Sequence, residues 1–391
     1  MIDFEFVSPT KLYFGKDKEL LIGDILTKLN VKNVLLVLGT NSAFTSGLYD
    51  RVVSRLDEFN INHFLLKGVR ANPNIEFVKE GLKIAKDNKV DFILAIGGGS
   101  VIDVSKSIAV NFYYDGDPYD YSLYLATPKK AIPIGVILTI AASGSELSSS
   151  CVISNEKTHS KQGFNSDLVR PIFAIYNPEL TYSVSKYQTS CGITDIISHS
   201  LERYFAKSNS LEFADGFALT VIKETIKVGE ICINNPTNYD ARGIMMLLSS
   251  YSHNGLTGLG KKYTMTIHAL EHALSGYKSD IAHGAGLAVL IPAWMEYVYC
   301  YDLDKFAHFG EVVFNLSYPD KEESAKIGIQ SLKNYFKKIG MPTSLKELGI
   351  TKEDLPHIIN KLTQEGTRLV GPLSIKPLNN EDLINIFSKV L

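Results

Sequence analysis

The sequence predicts an α/β domain built on a parallel sheet, followed by an all-helical domain. Three observations carry that prediction. Short β-branched apolar runs recur through about residue 180, amphipathic stretches separate them, and the apolar period then changes to three and four residues. The runs are VLLVL at 34–38, HFLLK at 63–67, FILAI at 92–96, IPIGVILT at 132–139 and FAIY at 173–176. Beyond Pro178, stretches such as FADGFALTVIKETIKVGEI and ARGIMMLLSSYS carry helical spacing instead. NPELTYSVSK supplies Asn, Pro and Ser between the two regimes, which places the boundary between residues 1–183 and 184–391.

A chain of 391 residues, 45% hydrophobic and 21% charged, is long enough for about two domains that share a cleft. Its 40 Lys and Arg against 42 Asp and Glu leave a formal charge of -2, so no overall field attracts nucleic acid or an anionic membrane. Small-molecule chemistry becomes the default. The opening MIDFEFVSPTKLYFGKDKE lacks a signal-type apolar segment, and no apolar run approaches the roughly 20 residues of a membrane span. A cytoplasmic location is expected. Cys151, Cys191, Cys232 and Cys300 are scattered without CxxC spacing, so reduced thiols are expected.

The segment FILAIGGGSVIDVSKSIAV reads as a buried strand, a turn of Gly97, Gly98 and Gly99, then Ser100 and a helix. Glycines let the backbone turn tightly beside a ligand, and a helix N-terminus offers unpaired N–H groups to a pyrophosphate. The motif is not GxGxxG, and an ordinary strand-to-helix turn is the alternative. Asp103, one turn into the helix, either contacts the nicotinamide side or stabilises the helix start. After the 34–38 run comes LGTNSAFTSG, where many NAD-binding folds carry an acid for the ribose 2′-hydroxyl. Gly39 stands there instead, with Thr40, Asn41 and Ser42 able to hydrogen-bond a 2′-phosphate. This favours NADP(H), with NAD(H) as the alternative if these are only turn residues.

In the second half, His253, His268, His272 and His283 crowd together, and GITDIISHSLERYF places Asp195 and His199 four apart. At helical period that pair shares one face. Alone, it is equally well an Asp–His hydrogen bond. With His268 and His272 also four apart, three imidazoles and a carboxylate suit Fe²⁺ or Zn²⁺, with a position open for substrate oxygen. Tyr204, Phe205 and Trp294 either shape an apolar pocket or serve helix packing.

These residues resemble the iron-containing (group III) alcohol dehydrogenases, particularly their butanol dehydrogenase and NADPH-dependent aldehyde reductase branch. The resemblance runs end to end, through FEFVSPTKLYFG, GGGSVIDVSKSIA, ASGSELSSSCVIS, the DxxxH pair and HALEHALSGYKSDIAHGAGLAVLIP. It implies a dehydroquinate-synthase-like architecture, one metal in the cleft and a homodimer. The metal ligands it carries over are Asp195, His199, His268 and His283; His272 matches a nearby non-ligand histidine, either a proton relay or a hydrogen-bonded neighbour of the ligands. The cofactor pattern falls on Gly97, Gly98, Gly99, Ser100, Asp103, Thr139, Ser143, Lys161 and Leu180, and the Gly39 turn is similar to that of the NADPH-using branch.

The chain departs from the family in two places. The interval from His268 to His283 is one residue longer than usual, and Ala142-Ser143-Gly144 replaces the common Ala-Thr-Gly. The implied reaction is hydride exchange between the nicotinamide and a short-chain aldehyde or primary alcohol. Alternatives are a glycerol- or lactaldehyde-type dehydrogenase, a lyase of the same fold, or a non-catalytic nucleotide- and metal-binding protein.

Overall fold

The computed structural model describes residues 2–207, 212–316 and 318–391. Its strands are β1 Lys11–Phe14, β2 Asn33–Gly39, β3 Asn62–Val69, β4 Phe92–Gly97, β5 Ile134–Leu138, β6 Ser150–Asn155, β7 Ser160–Asn165 and β8 Phe173–Tyr176. Six of them form a parallel sheet in the order β1-β8-β5-β4-β2-β3. Its central strands are apolar throughout because both faces are covered. Leu35, Val37, Ile93, Ala95, Val136 and Ala174 enter one core, while Val34, Leu36, Phe92, Leu94, Ile137 and Ile175 enter the other.

The predicted apolar runs correspond to β2, β3, β4, β5 and β8. The edge strand β1 is only half-buried and carries no such run. The antiparallel hairpin β6–β7 was likewise unmarked by the apolar pattern. That hairpin is anchored by the helix Gly99–Asn111, through buried Lys106 and half-buried Asp103. Lys106 Nζ donates to the carbonyls of Ser148 (2.9 Å) and Ser150 (2.7 Å), and Asp103 Oδ2 accepts from the Val152 N–H (3.0 Å).

The chain separates into two compact units that are discontinuous in sequence, whereas a single cut after residue 183 was expected. One contains Val7–Val184 and Pro236–Ser250; the other contains the N-terminal residues through Phe6, Ser185–Asn235 and Tyr251–Leu391. The segment 236–250 joins the sheet-bearing unit for identifiable reasons. Met246 is buried in its core, Ser249 Oγ accepts from the Gly144 N–H (3.2 Å), and Ser250 Oγ donates to Glu146 Oε1 (2.5 Å).

The other unit is helical, as the period predicts. Its helices include Lys186–Tyr204, Glu212–Asn234, Thr266–Tyr277, His283–Val298, Leu303–Phe314 and Lys321–Lys338. Tyr204, Phe205 and Trp294 are buried within it, and Phe205 stacks on Phe306 at 4.0 Å. These aromatics serve packing. Among the described residues, no helix is long and apolar enough to cross a membrane.

Burial pushes the Glu146 carboxyl upward, against the hydrogen bonds from Ser250 and Tyr176. A raised carboxyl binds its proton longer in the folded chain than in the unfolded one, so stability falls as pH rises through that window. Glu146→Gln removes this titration. The variant should gain stability over the parent as pH rises, by at most about 1.4 kcal/mol per pH unit. Thermal unfolding of both at mildly acidic and mildly alkaline pH checks this, and an equal difference at both would discount Glu146.

Candidate functional site

The glycine turn lies where β4 meets the helix Gly99–Asn111. Gly97 ends the strand, Gly98 precedes the helix in an extended conformation, and Gly99 and Ser100 form its first turn. Side chains are excluded here by contact: a Cβ on Gly97 would lie 2.6 Å from Val101 Cγ2, and one on Gly99 would lie 2.9 Å from Ser143 Cβ. The half-buried N-terminus therefore keeps its backbone N–H groups accessible to an anion. Thr139 joins the turn through its N–H to the Gly97 carbonyl (3.1 Å). Ser143 Oγ accepts from the Ser145 N–H at 3.2 Å.

The remaining cofactor candidates are placed less uniformly. Gly39 ends β2, and exposed Asn41 and Ser42 begin a short helical turn beside it. Leu180 packs on the core from the turn Pro178–Thr181. Lys161 is buried on β7, with Nζ donating to Asn72 Oδ1 at 2.9 Å. Asp103 has both carboxylate oxygens engaged, one by Ser145 Oγ (2.6 Å) and one by the Val152 N–H. It ties two chain segments together, a role the sequence did not indicate.

The helix Lys186–Tyr204 presents Asp195 and His199 from one face, and its start is fixed by Ser185 Oγ, which accepts from the Gln188 N–H (3.2 Å). His268 comes from the first turn of Thr266–Tyr277, and His283 is the first residue of His283–Val298. Around Asp195 Oδ1 lie His268 Nε2 at 3.5 Å, His283 Nε2 at 3.6 Å and His199 Nδ1 at 3.7 Å. Ligands about 2.1 Å from a tetrahedral ion stand about 3.4 Å apart, so these spacings suit a metal better than direct hydrogen bonds. Among the described residues, Asp195 Oδ1, His199 Nδ1 and His268 Nε2 are buried without a hydrogen-bond partner. An ion bonded to three nitrogens and one oxygen would satisfy all of them.

Electrostatics point the same way. Asp195, Glu202 and Glu271 are 4%, 4% and 0% exposed, an accumulation of carboxylates that calls for positive charge. Burial pulls His268 down, but Glu202 and Asp195 outweigh it and push the imidazole up to about 9. His199 is held well below its ordinary value by burial and by the neighbouring His253, His268 and Arg203. It is therefore a neutral imidazole, the form that ligates metals.

Sequence reasoning overlooked the outer partners of these ligands. Glu202 Oε2 meets His268 Nδ1, and Glu271 Oε2 meets His283 Nδ1. Helical spacing would have paired them differently, since Glu202 follows His199 and Glu271 follows His268 by three residues, whereas each contacts a histidine on another helix. The glycines of HGAG were also overlooked. A Cβ on Gly284 would lie 2.5 Å from Cys191 Cα, so this glycine lets the helix bearing His283 cross the Asp195 helix closely. His272 is half-buried, its ring 5.5 Å from that of His283 and 6.2 Å from that of His268.

Gly284→Ala should therefore force the two helices apart, costing about 1–3 kcal/mol and lowering the content of bound divalent ion. Thermal unfolding and elemental analysis check both effects. Parent values in each would show that the glycine does not set the crossing.

The family described as iron-containing alcohol dehydrogenase matches residues 9–178, and its C-terminal counterpart matches 189–391. The chain is 41% identical, over the whole of both chains, to NADH-dependent butanol dehydrogenase A of Clostridium acetobutylicum. It is 31% identical to the NADPH-dependent aldehyde reductase YqhD of Escherichia coli K12, with 95% of each chain covered. The crystal structure of NADH-dependent butanol dehydrogenase A from Thermotoga maritima superposes with a TM-score of 0.95 at 35% identity, covering 100% of this chain and 99% of that one. With both halves matched in order and relatives of this identity along its full length, the chain belongs to the iron-containing alcohol dehydrogenase family.

Proposed function

We propose that the protein is a metal-dependent alcohol dehydrogenase and aldehyde reductase acting on short-chain aldehydes and primary alcohols of the butanol type. The observation that carries this reading is the set of three imidazole nitrogens facing Asp195 Oδ1 at metal-ligand spacing. The names of relatives from Clostridium acetobutylicum and Escherichia coli supply the substrate class. When bound, a divalent ion polarises the substrate C–O bond and a nicotinamide cofactor exchanges hydride. Asp195, His199, His268 and His283 hold the ion, with Fe²⁺ favoured by the family and Zn²⁺ suited by the same donors. The turn Gly97–Ser100 receives the cofactor pyrophosphate, with Thr139, Ser143, Lys161, Leu180 and Asp103 bordering that site. His272 relays the proton that the substrate oxygen gains or loses. A cytoplasmic homodimer completes the proposal.

Cofactor choice turns on Gly39. With no acid at the end of β2, and with the exposed hydroxyl and amide groups of Thr40, Asn41 and Ser42 beside it, a 2′-phosphate meets no repulsion. This supports use of NADPH, while relatives named for NADH and for NADPH both occur. Introducing the acid by Gly39→Asp should lower kcat/KM for NADPH about tenfold or more, with a smaller effect for NADH. An unchanged preference would remove this turn from the selection.

The primary test is oxidation of NADPH or NADH by butyraldehyde, using protein stripped by chelator and then restored with Fe²⁺ or Zn²⁺. Activity lost on stripping and regained with metal is the expected result. No turnover with any combination, in either direction, would overturn the proposal. In the restored enzyme, His272→Ala should reduce turnover by about 10²-fold and alter its pH profile. A parent-like profile would exclude His272 from proton transfer.

A further inference from the structure

Glu202 and Glu271 are buried carboxylates that do not face the centre of the ligand cluster. Each meets the outer nitrogen of a histidine whose inner nitrogen faces Asp195. Glu202 Oε2 contacts His268 Nδ1 while His268 Nε2 stands 3.5 Å from Asp195 Oδ1. Glu271 Oε2 contacts His283 Nδ1 while His283 Nε2 stands 3.6 Å from the same oxygen. An acceptor on Nδ1 holds a hydrogen there, so that when an ion takes the place of any inner proton the Nε2 lone pair is directed at it.

Two features show that these contacts are built into the fold. Glu202 Oε1 accepts from the Ile267 N–H at 2.5 Å, at the start of the helix that carries His268. Room for Glu271 depends on Gly286, where a Cβ would lie 2.8 Å from Glu271 Cγ and 3.2 Å from its Oε1. His199 is supported differently: Arg203 Nη1 donates to its carbonyl at 2.7 Å, and the His253 ring packs 4.0 Å from its own. Glu271, His272 and His283 are also close enough to hold an ion by themselves, and of the two Glu271 oxygens Oε2 is engaged by His283 Nδ1.

Resting on the metal reading above, we propose that Glu202 and Glu271 are positioning residues that fix the tautomer and ring orientation of His268 and His283. Retention of the ion depends on them. The test uses the full chain loaded with Zn²⁺, titrated with a competing chelator, and with Co²⁺ as a probe visible through its d–d absorption. Glu271→Gln and Glu202→Gln should each lower Zn²⁺ affinity by roughly ten- to a hundredfold and change the Co²⁺ band, with the circular dichroism spectrum unchanged. Gly286→Ala, which keeps the carboxylate but crowds it, should reproduce the Glu271→Gln effect in part and carries the test if that variant does not fold. Parent affinity and a parent Co²⁺ band in these variants would overturn the positioning role alone. A parent chain that binds neither ion would overturn the metal reading as well.

Discussion

A carboxylate withdrawn from water must be balanced by charge or hydrogen bonds, and Asp195 Oδ1 makes no hydrogen bond while three imidazole nitrogens stand 3.5, 3.6 and 3.7 Å from it. The helical unit is organised around that constraint. Asp195 and His199 stand on one helix, His268 on a second and His283 on a third, so their helices must be fixed relative to one another. Small side chains permit the close crossing, and buried acids orient the rings. A divalent ion resolves the arrangement, because one charge answers the carboxylate and the three imidazoles together.

The sheet-bearing unit solves a different problem. It must expose a helix N-terminus while keeping the strand before it buried. The three glycines make that possible by leaving out the Cβ atoms that would meet Val101, Ile140 and Ser143. Lys106 and Asp103 then spend their charge internally, on the carbonyls and amide of the segment that follows Ser143. Glu146, Tyr176 and Ser250 continue this polar packing. The helix that follows the glycine turn is thus tied down by side chains that need not touch a ligand.

Much of this was legible in the sequence. Uninterrupted apolar runs mark β2, β4, β5 and β8 because burial on both faces leaves no polar positions, and DxxxH marks an Asp–His pair on one helix face because helical spacing is local. What escaped depends on contacts between distant segments. β1 gains its place by pairing with β8 rather than through apolarity, and the segment 236–250 gains its place through Met246, Ser249 and Ser250. Nothing local to Asp103 reveals that Ser145 and Val152 donate to its oxygens. Glu202 and Glu271 lay within the motifs themselves, yet only the fold brings each opposite its histidine.

The turn between the helices Thr266–Tyr277 and His283–Val298 holds the extra residue noted in the sequence. Lys278 ends the first helix, and His283 opens the second. The second helix takes its lateral position from Gly284 against Cys191 and from Gly286 against Glu271, not from the length of the turn before it. A turn of another length can therefore join those two helices while the two glycine contacts keep His283 opposite Asp195.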